Sequence, residues 1–219
     1  MKSNILKFSY ILFFSLIFLS CEMLPLQKSF KYDGEAIDIN VNMTAYDWLY
    51  SKGDQFEKMI EAIEYAEMSD YYKQDSLEYT FLVIKNPALE NWANNNGVLK
   101  ISDLPKEKVR DFIKYHIIKG RYSAYYNESP IEPSFVKTLV NGEDGLMTLN
   151  CVKSSYPIYY TNDGPVITSG NIMINALYSN GSSPQRSSLT TNIITTNGVI
   201  HVFGDYSFYK RDVYYTPLF

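Results

Sequence analysis

The sequence predicts an α+β fold, with helices in the N-terminal half and a mainly antiparallel sheet in the C-terminal half. Apolar residues recur at steps of three and four in two stretches, 44–66 and 104–118, which favours helices there. From residue 122 onward the chain consists of short β-branched and aromatic runs bounded by Gly, Asn, Asp, Pro or Ser. Helices followed by a series of strands are typical of the α+β class.

The first stretch has the signals of a capped amphipathic helix. Thr44 is a suitable N-cap, and Asp47 follows three residues later as its acidic partner. Gly53 predicts a break between a short helix and a longer one. The apolar face consists of Trp48, Leu49, Phe56, Met59, Ile60, Ile63 and Ala66.

Between the two helical stretches, residues 79–84 (YTFLVI) predict a buried strand that runs into a turn at 85–87. A brief helix over 87–92 is expected next. Ser102 is the expected cap of the second long helix, 104–118, with Pro105 in its first turn, and Gly120 is expected to end it.

The C-terminal half contains seven expected strands, separated by turn residues and by a polar insertion at 180–188. The dipeptide Asn197-Gly198 lies between two apolar runs and is the strongest hairpin signal, with both residues expected to adopt positive φ angles. The expected strands cover residues 135–140, 145–152, 158–160, 166–168, 172–175, 189–196 and 199–203.

The N-terminus has the pattern of an export signal. Lys2 and Lys7 precede an apolar run over 10–19, which is too short to cross a membrane as a helix. The end of this run, Phe18 to Cys21 (FLSC), resembles a bacterial lipobox, which implies that Cys21 becomes an acylated N-terminus on a membrane. An ordinary secretory signal and an uncleaved anchor helix are the alternatives.

Composition argues against several classes of function. The formal charge is −4, and removal of Lys2 and Lys7 with the signal makes it −6, so no nucleic-acid partner is expected. No later apolar run reaches the length of a membrane span. The sequence has no GxSxG nucleophile motif, no phosphate-binding glycine loop and no dinucleotide-binding fingerprint. We therefore expect neither an enzyme nor a cofactor. Cys151 is expected to be a small buried residue rather than a nucleophile.

His116 and His201 are the only histidines in the chain. His116 ends an apolar helical face and His201 lies within an apolar strand. Their separation matches no local metal-binding motif, and no cysteine or carboxylate cluster accompanies them. Both are therefore expected to be structural, with their rings bonded to backbone groups, and no metal is expected.

Three separated strings resemble the fasciclin-like (FAS1) domain family, whose helical opening is also similar to residues 44–50 (TAYDWLY). The first string is TFLVIKNPAL at 80–89, in which Ile84 and Lys85 replace a Pro and a Thr of the family pattern. The other two are FIKYHIIKGRYS at 112–123 and TNGVIHVFG at 196–204. Together they cover nearly all of the chain after the export signal.

This resemblance implies a domain with the family's β-wedge and packed helices. The expected organisation is a signal peptide (1–20), a lipid-anchored linker (21–37), the fasciclin-like domain (38–210) and a C-terminal tail (211–219). It also implies a non-enzymatic module for adhesion or for binding a surface protein or glycan. Residues near the Tyr-His segment have been associated with partner binding in the family, which here would be Tyr115 and His116.

A second hypothesis is an accessory lipoprotein of an outer-membrane nutrient-uptake complex that holds a glycan or peptide. The 20 tyrosines of the chain favour it, because a tyrosine ring can stack on a sugar while its hydroxyl bonds. Both hypotheses place the protein on the bacterial outer membrane, lipid-anchored at the cell surface. The candidate stacking pairs are Tyr125 with Tyr126, Tyr159 with Tyr160, and Tyr71 with Tyr72.

Overall fold

The computed structural model describes residues 40–75, 78–124, 129–153, 159–161, 164–167, 170–176 and 184–207. For residues 153, 159–161 and 164–167 it describes the backbone path alone. The predicted export signal with Cys21, the predicted linker and the predicted C-terminal tail lie outside the described residues.

The described residues form five α-helices, all in the N-terminal half. A 3-10 turn at Gly53–Gln55 separates the first two, as the break at Gly53 predicts. Thr44 caps the first helix by accepting a hydrogen bond from the Asp47 amide. The helices are α1 (Ala45–Ser51), α2 (Glu57–Tyr65), α3 (Ser69–Lys73), α4 (Asn86–Asn95) and α5 (Lys106–Tyr115).

The described strands form a seven-stranded mixed sheet, in the order β2-β1-β9-β8-β7-β4-β3, and a separate pair, β5-β6. Within the large sheet β1 and β9 are parallel and the other neighbours are antiparallel. The strands are β1 (Tyr79–Ile84), β2 (Ile117–Lys119), β3 (Ser134–Lys137), β4 (Leu146–Lys153), β5 (Tyr159–Thr161), β6 (Gly164–Ile167), β7 (Gly170–Ile174), β8 (Arg186–Thr195) and β9 (Gly198–Phe203).

The two outer strands of the large sheet approach each other. Ile118 of β2 forms a bridge with Thr138, next to β3, and the Leu139 amide donates to the Ile117 carbonyl at 3.0 Å. These contacts cover part of both edges, which reduces the length of open strand available for unwanted pairing.

The core lies between the helices and the sheet. Strand β1 is buried from Thr80 to Ile84, and β9 is buried along its whole length. Tyr72 of α3 stacks on Phe81 of β1 at 4.7 Å between ring centroids, which joins the helices to the sheet, and Trp92 of α4 stacks on Phe112 of α5 at 4.1 Å, which joins two helices. Large rings therefore pack both between a helix and the sheet and between two helices, so the positions of these helices are fixed by shape as well as by burial.

The predicted bounds of the second long helix, 104–118, are wrong at both ends. It begins only at Lys106, with Ser102 in a 3-10 turn and Pro105 at the N-cap, and it ends at Tyr115. Residues 117–119 instead form β2, in which Ile117 is level with Phe81 of β1. The apolar pattern is compatible with either state, and the two isoleucines gain burial and backbone pairing as a strand.

The predicted hairpin at Asn197-Gly198 is confirmed, but the positive φ angles expected of its two turn residues are wrong. Strands β8 and β9 pair in antiparallel register, with Thr195 level with Gly198, yet neither Asn197 nor Gly198 has a left-handed φ angle. A Cβ on Gly198 would lie 2.2 Å from the Tyr79 carbonyl oxygen. The glycine is therefore required for the close approach of β1, not for the turn.

Among the described residues no helix has the length and apolar character that a membrane crossing requires.

Candidate functional site

A groove of about 440 Å³ opens between the start of the helical layer and strand β8. Its volume lies within the usual range for small-molecule sites. The groove is lined by Val41, Trp48, Lys52, Gln55, Phe56, Lys85, Thr190, Thr191, Asn192, Ile193 and Val202. Apolar side chains form its floor and polar side chains form most of its rim.

Two lysines reach the groove from different elements. Lys52 caps the C-terminus of α1, one turn after Trp48, and its Nζ lies 5.6 Å from the centroid of the Trp48 ring. Lys85 is the residue between β1 and α4, and its amide donates to the Phe203 carbonyl at 3.1 Å. Both lysines therefore belong to well-anchored backbone, and Lys85 occupies a position where the family pattern has threonine.

A bulge in β8 shapes the opposite wall. The register with β9 shifts between Thr190 and Ile193, and Asn192 within this bulge has a φ of 61°. The Asn192 Oδ1 accepts hydrogen bonds from the Ser123 hydroxyl at 2.9 Å and from the Ala124 amide at 2.8 Å. Asparagine tolerates this left-handed backbone better than most residues, and its side-chain bonds hold the bulge in place.

The charged residues described in the groove lining are all basic. Among the described residues, the lining includes two lysines and no acidic residue. Among the described residues, neither Lys52 nor Lys85 forms an ion pair, whereas Arg110, Arg121 and Arg186 all pair with carboxylates. An opening lined by cations without acidic partners attracts anions.

A second polar cluster lies on the outer face of α1 and α2. Tyr46 and Tyr50, one turn apart, have ring centroids 4.8 Å apart, and both hydroxyls donate to the carboxylate of Glu64. The Lys73 ammonium lies 4.1 Å from the centroid of the Tyr46 ring. Hydrogen bonds from Tyr50 and Tyr46 lower the pKa of Glu64, while burial is the main cause that raises the pKa of Tyr46.

Tyr115 and His116, the residues that the resemblance singled out for binding, are fully buried. The Tyr115 hydroxyl lies 3.5 Å from the Asn175 Oδ1. The His116 Nδ1 is 2.8 Å from the Phe112 carbonyl oxygen, and its Nε2 is 3.3 Å from the Ser207 amide. In the described conformation, a partner that binds this segment would contact the residues around Tyr115 and His116 and not their buried side chains. A binding role for these two side chains stays a prediction.

His201 is the counterpart of His116 on the sheet. Its Nδ1 accepts from the Asn192 amide at 3.2 Å, so its Nε2 carries the proton donated to the Tyr122 carbonyl at 2.8 Å. The same reasoning places the proton of His116 on Nδ1. Burial lowers the pKa of both imidazoles to about 4, so both rings are neutral at pH 7. The expectation that the two rings bond to backbone groups is confirmed.

The candidate tyrosine pairs have different positions. Tyr72 is buried and Tyr71 is half-buried, so this pair presents no exposed double ring. Tyr125 and Tyr126 lie outside the described residues. Tyr159 and Tyr160 belong to β5, of which the backbone alone is described. A stacking role for the last two pairs stays a prediction.

Cys151 is fully buried in β4, as expected of a small core residue. Within the described ranges, no group of three or more His, Cys, Asp or Glu side chains is arranged to hold a metal ion.

Sequence reasoning did not identify the groove or the Tyr46–Tyr50 pair. The tyrosine pair had a local signal, because residues four apart on a helix share a face. The groove had little signal, because its residues are far apart in the chain. One indication was the replacement of the family's threonine by Lys85, which adds a charge at the end of a buried strand.

Helices packed on a seven-stranded mixed sheet define an α+β domain. The family model for the fasciclin domain matches residues 54–205, and the chain belongs to this family. The predicted α+β class and fasciclin-like wedge are thereby confirmed. Fasciclin domains are generally non-enzymatic adhesion domains, which supports a general binding role for this chain.

Among solved structures, the chain is similar to a FAS1 domain pair from the insect cell adhesion molecule fasciclin I. The TM-score is 0.43 at 20% identity, and the similarity covers 74% of this chain and 45% of that chain. The chain thus spans less than half of the solved domain pair. A search of curated proteins found no match.

Proposed function

We propose that this chain is a non-enzymatic adhesion or binding protein, held on the bacterial outer membrane by a lipid on Cys21 and facing the cell exterior. Membership of the fasciclin domain family is the observation that carries the binding role. The partner is an extracellular protein or glycan. The solved relative is an insect cell adhesion molecule, and the same kind of role is proposed here on a different cell surface.

The sequence before the domain supports the anchor. A basic start, a short apolar run and the string FLSC fit a signal that is cut before Cys21. Two or more acyl chains on that cysteine hold a protein firmly at a membrane surface, because each buried methylene contributes about 0.8 kcal/mol. Residues 22–37 then form the linker to the domain.

The anchor is tested by Cys21→Ser in the full-length protein. We expect this variant to leave the membrane fraction and to lose metabolic labelling with a fatty acid. Cys151→Ser is the matched control, because this cysteine is buried in β4 and should not be acylated. Membrane association and an unchanged mass after Cys21→Ser would disprove the anchor.

The binding role is tested with the full-length protein displayed on cells and applied to arrays of extracellular proteins and glycans. We expect saturable binding that an isogenic strain without the protein lacks. Turnover of a small-molecule substrate without such binding would contradict the proposal.

A second candidate function is an accessory role in glycan uptake beside an outer-membrane transporter. The Tyr46–Tyr50 pair favours it, because Tyr50 is 48% exposed and the carboxylate of Glu64 lies beside its hydroxyl. Sugar binding that Tyr50→Ala weakens, together with copurification with a transporter, would favour this candidate over adhesion.

A further inference from the structure

We propose that the groove between α1 and the bulge of β8 binds an acidic saccharide, whose carboxylate is held by Lys52 and Lys85. This inference rests on the proposed binding function and names both its site and its ligand class. The ligand unit is a sugar ring that carries a carboxylate.

The charge of the groove contrasts with the charge of the chain. The protein is acidic overall, with a formal charge of −4, yet the lining residues that the structure describes include two lysines and no acid. Within the described part of the chain these two ammonium groups lack carboxylate partners, although other cations of the domain are paired. A ligand carboxylate would supply the missing partner for both.

The floor of the groove suits one sugar ring. Trp48, Phe56 and Val202 form it, and they are 6%, 2% and 2% exposed. Little of each side chain reaches solvent, so the floor is a narrow apolar strip rather than a wide stacking plane. A strip of this kind can contact the C–H face of one ring, and the volume of about 440 Å³ is sufficient for a small ligand.

The rim supplies hydrogen-bonding groups for sugar hydroxyls. Thr190 and Gln55 are exposed, and Thr191 is half-buried, so a hydroxyl or an amide stands on each side of the opening. A hydroxyl group both donates and accepts, as does a primary amide, which matches the mixed character of a saccharide. Asn192 is already bonded to Ser123 and Ala124, and it keeps the wall rigid before any ligand binds.

The same wall is poorly suited to an extended acidic peptide. Such a peptide gains affinity by pairing its backbone with a regular strand edge. At the bulge the Asn192 amide is bonded to the His201 ring, and the strand register is broken between Thr190 and Ile193. The groove therefore favours side-chain recognition of a compact ligand.

The test measures binding of three probes to the full-length protein in detergent micelles by isothermal titration calorimetry. The probes are a disaccharide of galacturonic acid, its methyl ester and the matching disaccharide of galactose. We expect the acid to bind, the two uncharged probes to bind at least about tenfold more weakly, and the affinity to fall as salt is raised from about 50 mM to about 500 mM.

Charge-removing variants locate the site. Lys52→Gln and Lys85→Gln should each weaken binding of the acid about fivefold, and the double variant about twentyfold or more. Lys52→Arg and Lys85→Arg should retain most of the affinity. Lys100→Gln is the matched control, because Lys100 is exposed and lies outside the groove lining, and thermal unfolding of every variant shows that each is folded.

Four results would overturn the inference: failure of the acid to bind, equal affinity for the acid and its ester, unchanged binding by the folded double glutamine variant, or tighter lysine-dependent binding of an acidic peptide. Array binding that persists while the acid fails to bind would reject this site alone and leave the proposed function intact. Failure of both would reject the two together.

Discussion

The Oδ1 of Asn197 accepts a hydrogen bond from the Ala45 amide at 2.9 Å, and its Nδ2 donates to the Tyr72 carbonyl at 2.8 Å. One buried side chain thus joins the β8–β9 turn to the start of α1 and to α3. The Ala45 amide belongs to the first turn of a helix, where backbone donors have no partner within the helix.

Asn197→Ala should therefore lower the free energy of unfolding by about 2 to 4 kcal/mol, because it leaves a buried amide and a buried carbonyl unbonded. Chemical denaturation monitored by circular dichroism measures the change. Asn94→Ala is the matched control: Asn94 is exposed on α4, and its loss should cost less than about 0.5 kcal/mol. Equal effects of the two substitutions would contradict the bridging role.

Gly198→Ala tests the close approach of β1 and β9. The added Cβ would overlap the Tyr79 carbonyl oxygen, so the parallel strands must separate, at a cost of about 3 kcal/mol. Gly97→Ala adds the same group where nothing lies within 4 Å, and its φ of 77° should cost about 1 kcal/mol. Comparable thermal unfolding of the two variants would disprove the steric argument.

The two buried histidines predict a loss of stability in mild acid. The pKa of each ring is lowered by burial from 6.5 to about 4, so between these values the unfolded chain binds protons that the folded chain does not. The free energy of unfolding should fall by about 2.5 kcal/mol for both rings together between about pH 7 and about pH 5.5. Above the unfolded pKa both states are neutral, and this contribution is constant.

Proton NMR of the folded protein separates this effect from other titrations, because the chain has two histidines. Both rings should remain neutral down to about pH 5. Glu64, whose pKa is lowered by Tyr50 and Tyr46, contributes only at lower pH, since its unfolded form titrates near 4.5. A midpoint near 6.5 for either ring in the folded state would contradict its burial.

We expect removal of the buried Tyr72 hydroxyl to leave the free energy of unfolding unchanged or to raise it. Among the described residues it has no hydrogen-bond partner, and burial raises its pKa. Tyr72→Phe keeps the ring stack on Phe81 and removes the unbonded group, so we expect a gain of about 0 to 1.5 kcal/mol in unfolding free energy.

Tyr65→Phe is the comparison variant, because the Tyr65 hydroxyl donates to the Leu104 carbonyl at 2.9 Å. Loss of this hydrogen bond should lower the free energy of unfolding by about 1 kcal/mol. If denaturation shows both substitutions to be destabilising by the same amount, the Tyr72 hydroxyl has a partner.

The sequence predicted most of the fold because most elements carry a local signal. The apolar spacing of α2, the β-branched run of β1 and the dipeptide at the β8–β9 turn are each complete within a few residues. Strand β2 was missed because its three residues continue a helical pattern, and only pairing with β1 distinguishes the two states.

The candidate groove was beyond sequence reasoning for a related reason. Trp48, Lys85 and Thr191 meet through tertiary packing, and no spacing rule relates them. The two histidines were correctly expected to bond to backbone groups, but their partners, such as Ser207 for His116, come from distant segments. Burial could be expected from apolar neighbours, whereas the identity of each contact could not.

The parallel pair of β1 and β9 places the last strand of the described residues in the interior of the sheet, with Thr80 level with Val199. A growing chain therefore leaves β1 and β8 without their shared neighbour until nearly all of the domain has been made. Until then both strands expose bare edges, which are the usual starting points of aggregation. Folding of this domain can therefore be completed only after the segment that contains β9 has been synthesised.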